Sequence, residues 1–179
     1  MDTFETARLR MRPLDDSDER LYCRLYMDPE VMRNIADPFT METAQRSFHS
    51  ACRQQSVMVR RWIIHEKAGQ LDIGLLGLLP DEETAEIGVM FLPGRSGRGF
   101  ATESMQALVD RIFIAQALPR LIARQAVAAN PPVNRLMTKL GFRQLPPDKP
   151  WSERNWELRH DEWKARSLPD GVTVAASND

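Results

Sequence analysis

The sequence predicts an α+β fold, a mixed and mainly antiparallel twisted sheet flanked by helices. Three observations carry that prediction. The hydrophobic period is helical over much of residues 15–52 and turns β-type across residues 58–92. A strand, a helix and a second strand then follow one another within residues 86–127, an order that calls for a right-handed parallel crossover. A chain of 179 residues, 42% hydrophobic and 27% charged, suits one domain that buries its own core without disulfides or metal. That domain is expected over residues 1–167, followed by the aperiodic LPDGVTVAASND as a frayed tail over residues 168–179.

Residues 8–14 alternate, with Leu9, Met11 and Pro13 set against Arg8, Arg10 and Arg12, as in a half-exposed strand. Asp15, Asp16 and Ser17 supply a helix N-cap region, after which Leu21, Leu25 and Tyr22, Tyr26 recur at helical spacing. DPEVMRNI reads as a short second helix, capped by Asp28 with Pro29 at its first position. Thr40 opens a third helix with Ala44, Phe48, Ala51 and Cys52 as its apolar stripe. Runs 58–66, 72–79 and 84–92 are strands of an antiparallel meander, the first two joined by the turn KAGQ. Residues 100–115 are helical, with Ala101, Met105, Leu108 and Ile112 on one stripe, and residues 121–129 return to a strand. Asn130 caps the next helix, Pro131 and Pro132 fill its first turn, and Val133, Leu136, Met137 and Leu140 form its buried face. Gly141 ends it in the usual C-terminal position. Residues 142–145 and 156–159 are closing strands, and residues 161–166 a last helical turn.

Charge and composition exclude several classes. Basic residues number 24 against 25 acidic ones, a formal net charge of −1, so no nucleic-acid or membrane-surface partner is expected. No apolar run is long enough to span a bilayer. The opening MDTFETARLRMRP is acidic at once and lacks the apolar centre of a secretory signal. Cys23 and Cys52 both fall in helical segments and read as reduced thiols, which points to a cytoplasmic protein. His49, His65 and His160 are scattered and form no metal-binding pair, so no metal is expected.

The segment that carries chemistry is AEIGVMFLPGRSGRGFATES, residues 85–104. A strand runs into a glycine-rich turn and then a helix. The first helical amides lack intrahelical acceptors, and the helix dipole is positive at that end. Gly97 and Gly99 let backbone donors approach an anion closely, and Arg95 and Arg98 add positive charge at the mouth. A nucleoside-triphosphate loop is excluded, because Phe100 and Ala101 follow Gly99 where lysine and serine or threonine are needed. A dinucleotide fingerprint fails too: Thr102 replaces its third glycine, and residues 117–130 hold no acidic residue. A pyrophosphate cradle and a merely tight turn before a helix both remain open on these residues.

Four segments in order resemble the GCN5-related N-acetyltransferase (GNAT) family, in its subgroup of ribosomal-protein N-acetyltransferases (RimJ/RimL-like). They are ETARLRMRPL with DDSDERLYCRLYMDPEVMRNI, then AEIGVMFLPGRSGRGFATES, then AANPPVNRLMTKLGF, then ERNWELRHDEW. The resemblance spans residues 5–163. It implies acetyl-CoA as co-substrate, held where two parallel strands splay apart, here those ending near Leu92 and Ala129. It implies that main chain around Met90, Phe91 and Leu92 pairs with the pantetheine arm. The pyrophosphate would lie on Gly97, Arg98, Gly99, Phe100 and Ala101, with Arg95 and Thr102 beside it, and Asn130 and Asn134 on the other side.

The chain departs from the family pattern at three places. Ser96 stands where the phosphate motif opens with glutamine or arginine. Val133 stands where the subgroup often has a serine thought to protonate the thiolate, and the tyrosines, Tyr22 and Tyr26, lie in the first helix. No general acid is therefore supplied by the sequence. Amine acetylation also needs a base. Glu86, on the strand entering the splay at a position often acidic in the family, is the first candidate; His65 and Glu66 are second choices. Glu103, in the first turn of the phosphate-binding helix, suits the dipole and reads as structural. The N-terminal helices and residues 146–156 are expected to form the acceptor site, with Phe39, Phe48, Trp62 and Trp151 as lining or core. The acceptor is an amine, either a protein or peptide N-terminus or a small molecule, and a homodimer is a family-level expectation. A binding module that keeps acetyl-CoA but has weak or no turnover is the alternative. A protein-interaction domain without cofactor is a third reading, for which no residue speaks.

Overall fold

The computed structural model describes residues 3–54, 59–81, 84–115, 118–125, 130–146 and 154–167. The expected alternation forms β2 (Leu9–Pro13), in which Leu9 and Met11 are wholly buried. A two-residue strand, β1 (Phe4–Glu5), precedes it and pairs Phe4 with Met11. Two residues are too few to show a period, so the sequence carries no sign of it.

Local caps set the helices. Asp15 accepts from the Ser17 N–H and forms a reciprocal capping box with Asp18, opening a 3-10 turn (Asp16–Asp18) that leads into α1 (Glu19–Met27). The Asp28 carboxylate accepts from the amides of Glu30 and Val31, with Pro29 at the first position of α2 (Pro29–Met32). Helix α2 is shorter than DPEVMRNI suggested, and its last carbonyl is satisfied by the amides of Ile35 and Ala36. The Thr40 hydroxyl accepts from the Thr43 amide to open α3 (Met41–Arg53).

The meander is β3 (Arg60–Glu66), β4 (Leu71–Asp81) and β5 (Thr84–Phe91). Then come α4 (Phe100–Ile114), β6 (Arg120–Gln125), α5 (Pro131–Leu140), β7 (Arg143–Gln144), β8 (Arg154–Arg159) and α6 (His160–Ser167). Gly141 ends α5 at φ 89, with its N–H bonded back to the helix. Met58, the expected end of the strand at residues 126–129, and residues 168–179 lie outside the described residues.

The strands form one eight-stranded sheet in the order β1-β2-β3-β4-β5-β6-β8-β7. Every neighbouring pair is antiparallel except β5 and β6. The sheet buries both faces over much of its area. On one, Leu9, Met11, Trp62, Ile64 and Leu76 meet Met105, Leu108, Val109 and Ile112 of α4. On the other, Ile63, Leu75 and Leu92 meet Tyr22, Leu25, Phe48 and Ala51 of α1 and α3. This alternation sorts the site residues: Glu66 pairs with Leu9 and shares the α4 face, whereas His65 pairs with Arg10 and shares the α1 face.

Candidate functional site

The parallel contact between β5 and β6 consists of Ala85 opposite Leu121 and Glu86 opposite Ile122. Beyond Glu86 the strands part, because each is held by its outer neighbour. β5 stays paired to β4 up to Gly74 opposite Phe91, and β6 is paired to β8 along its described length. The result is a gap at the sheet centre, open toward the C-terminal ends of both strands.

The register settles which main chain faces that gap. The Leu92 N–H donates to the Ile73 carbonyl at 2.9 Å. Peptide groups alternate along a strand, so Met90 and Leu92 direct their N–H and C=O toward β4. Val89 and Phe91 direct theirs toward the gap. The side chains of Val89 and Phe91 pack on the α4 face, and Met90 joins Tyr26 in the cluster on the other face.

From Leu92 the chain turns through Gly97 and Gly99, both left-handed at φ 76 and φ 79. Gly99 is the N-cap of α4 and supplies no side-chain cap. By contrast, Thr40 and Asn130 cap α3 and α5 with side-chain oxygens. The first intrahelical bond of α4 runs from the Glu103 N–H to the Gly99 carbonyl. The amides of Phe100, Ala101 and Thr102 thus have no intrahelical acceptor at the positive end of the dipole. Helix α1 also lacks a side-chain cap of its own, but it continues a 3-10 turn that Asp15 caps; α4 is entered directly through glycine.

Three anchors fix this loop. The Glu66 side chain, 5% exposed, meets Arg95 at 2.7 Å and Arg98 at 3.0 Å. Arg8 donates to the Glu103 carboxylate at 2.6 Å and to the Arg98 carbonyl at 2.9 Å. The guanidinium groups of Arg8 and Arg98 each lie 4.8 Å from the Phe100 ring centre. Burial raises the Glu103 pKa, but hydrogen bonds from Thr6 and from the backbone and side chain of Arg8 outweigh it, and the carboxyl lies below its ordinary value. Glu103 is thus a strut of the loop, as the sequence suggested. Glu66 is turned away from the α1 face and into the loop arginines.

Across the gap, the Asn130 side-chain oxygen accepts from the Val133 N–H, so this residue is the helix cap expected of it. The side-chain oxygen of Asn134 is buried and has no hydrogen-bond partner among the described residues. A buried acceptor without a donor is costly.

Glu86 sits at the last paired position before the splay, and its carboxylate meets Arg124 at 2.8 Å. Arg124 also borders an open depression of about 200 Å³, with Arg120, Ile122, Leu145, Asn155 and Glu157. His65 lies two strands away, its Nδ1 at 2.8 Å from Asp72, whose other oxygen accepts from Arg12 at 2.9 Å. The structure therefore gathers Arg95, Arg98, Gly97 to Thr102 and the β5 main chain at one place, and leaves His65 apart from Glu86. Phe48 and Trp62 are fully buried core, whereas half-buried Phe39 stacks on Tyr26 at 5.2 Å. Trp151 lies outside the described residues.

Tyr22 and Tyr26 stack at 4.5 Å, and the Tyr22 hydroxyl bonds Ser47 at 2.9 Å. Burial first, then the neighbouring Tyr22, pushes the Tyr26 phenol well above its ordinary range. Val133 packs partly buried against the core below α4. Among the described residues, no three His, Cys, Asp or Glu side chains gather to hold a metal, and no helix is long and apolar enough to cross a membrane. Sequence reasoning missed Arg8 and Thr6 as loop anchors. Their partner is 95 residues away for Arg8 and 97 for Thr6, and nothing local announces it.

Residues 8–143 match the family model described as an acetyltransferase (GNAT) domain. The uncharacterized N-acetyltransferase p20 of Bacillus licheniformis is 32% identical over 151 residues, covering 80% of this chain and 84% of that relative. Spermidine N-acetyltransferase from Vibrio cholerae, solved with CoA and spermine, superposes with a TM-score of 0.74 at 19% identity, covering 89% of this chain and 99% of that one. RimL, the ribosomal L7/L12 α-N-protein acetyltransferase solved with coenzyme A, gives a TM-score of 0.75 at 15% identity, covering 90% and 99%. At these identities the two solved structures show a shared fold.

Proposed function

Because this chain belongs to the GNAT acetyltransferase family, we propose that it moves an acetyl group from acetyl-CoA to a primary amine by direct transfer in a ternary complex. The observation that supports this best is an uncapped helix, entered through glycines, beside a splayed pair of parallel strands. The residues present fit the cofactor. The amides from Gly97 to Thr102, with Arg95 and Arg98 beside them, bind its pyrophosphate. The gap-facing groups of Val89 and Phe91, flanked by Met90 and Leu92, pair with its pantetheine arm. Asn134 offers its unpartnered oxygen to an N–H of the same arm, and Asn130 holds the α5 end in place. Acetyl-CoA supplies an activated acyl carbon and a good leaving group.

The remaining work falls to side chains on the α1 face. A gap-facing N–H, at Val89 or Phe91, stabilises negative charge on the carbonyl oxygen. Glu86 takes the proton of the incoming ammonium, directly or through water. An α-amino group, with an ordinary pKa of about 7.7–8.0, gives up its proton near neutral pH more readily than a lysine-like amine near about 10.4. On that ground the acceptor is a protein or peptide N-terminus, as the RimJ/RimL-like resemblance implies, in a cytoplasmic setting. A small amine is the other acceptor to test. His65, oriented by Asp72, is the second candidate base.

A second reading is a binding module with weak or no turnover. Val133 favours it, since it has no proton to give the thiolate. Thiol release from acetyl-CoA, measured over a panel of peptides and small amines, separates the two. The proposed transferase releases thiol in step with amine acetylation; no thiol release with any acceptor of either kind would leave the binding module. Glu86→Gln is expected to lower kcat/KM on the order of a hundredfold at neutral pH. The deficit should shrink as pH rises past the pKa of the amine, which then arrives neutral. Full activity of this variant at every pH would remove Glu86 as the base.

A further inference from the structure

We propose that Glu66 is a positioning residue for cofactor binding: one buried carboxylate clamps Arg95 and Arg98 and so pre-sets the glycine loop between them. The inference rests on the phosphate-binding assignment made above. Its geometry is independent of that assignment. Glu66 ends β3, pairs with Leu9 and faces α4, so its carboxylate lies beneath the loop and not toward the acceptor side. One oxygen meets Arg95 at 2.7 Å and the other meets Arg98 at 3.0 Å. The two arginines flank Gly97, whose φ of 76 belongs to the turn they bracket.

A carboxylate this buried is tolerated only when it is paired. Pairing with both flanks turns that constraint into a cross-link across the loop. Arg95 and Arg98 side chains remain 27% and 48% exposed, so both guanidinium groups keep donors free for solvent or an anion. Arg8 also holds the Arg98 carbonyl, and among the described residues the amides between the arginines have no side-chain partner. The loop is thus ordered before any ligand arrives, and the ordering cost on binding is reduced.

Glu66→Gln keeps the shape and removes the charge. Calorimetric titration should show acetyl-CoA and CoA bound about tenfold more weakly, the loss expected for a charge-assisted hydrogen bond made neutral. S-acetylpantetheine, which lacks the pyrophosphate, should bind both proteins equally. Hydrogen exchange at the amides of residues 96–101 should be faster in the unliganded variant. Glu66→Asp should recover part of the affinity. In an Arg95→Gln, Arg98→Gln background, which leaves the Glu66 carboxylate without its two cationic partners, the same Glu66→Gln change should weaken binding no further. Wild-type binding with unchanged affinity in Glu66→Gln, or an equal loss for S-acetylpantetheine, would overturn the role of Glu66 alone. No binding of acetyl-CoA by the folded wild type would overturn the phosphate-site assignment and this role with it.

Discussion

Gly99→Glu is expected to weaken acetyl-CoA binding by at least about a hundredfold while leaving the protein folded. Two effects add. Gly99 sits at φ 79, where any other residue is strained by about 1–2 kcal/mol. The new carboxylate also stands at the open end of α4. There it can accept from the free amides itself and repel the phosphates. Two such charges about 5 Å apart at an effective dielectric of about 20 repel by about 3 kcal/mol. The protein has room for the change: a Cβ at Gly99 meets only the Arg8 guanidinium, at 3.4 Å. Gly99→Ala carries the strain without the charge and should lose far less. Titration of both variants checks this, with circular dichroism to show that each is folded. Equal, unaltered affinities would remove the loop from the binding site.

Gly74→Ala should act from the opposite side of β5. A Cβ there would stand 2.4 Å from the Met90 carbonyl oxygen and 2.9 Å from the Phe91 ring. The nearer atom is backbone, so relief requires β5 itself to move, and β5 is the strand that faces the gap. Overpacking of this kind destabilises by about 1–3 kcal/mol, a fall of several degrees in Tm. The KM for acetyl-CoA should rise as well. Gly77→Ala is the matched control, because a Cβ there meets only the Gly88 carbonyl, at 4.0 Å. It should change Tm little. Thermal melts of the pair decide the matter: equal melting temperatures would mean that the β4–β5 register does not constrain this site.

Much of the fold was legible because its signals are local. Asp28 before Pro29, Thr40, Asn130 before two prolines and Gly141 each mark a helix end within a few residues, and each does so in the structure. The meander was legible from three β-type runs with short connections. Strand β1 was not, since two residues carry no period, and neither was the placement of β8 between β6 and β7, which depends on long-range pairing. The candidate site divides in the same way. Gly97 and Gly99 announce a turn before a helix, so the loop could be read directly. The anchors could not: Glu66 finds Arg95 across 29 residues and Arg124 finds Glu86 across 38. The sequence pointed to main chain around Met90, Phe91 and Leu92 for the pantetheine arm. Only the β4–β5 register shows that the groups facing the gap are those of Val89 and Phe91. Strand alternation was visible in the sequence, but its phase relative to a neighbour was not.

Calorimetric titration of the purified protein with acetyl-CoA shows directly whether the glycine loop and the splayed strands form a cofactor site. Saturable binding at one site per chain is expected, weakened by rising salt because charged groups contribute. Folded protein that takes up no acetyl-CoA at millimolar concentration would contradict it.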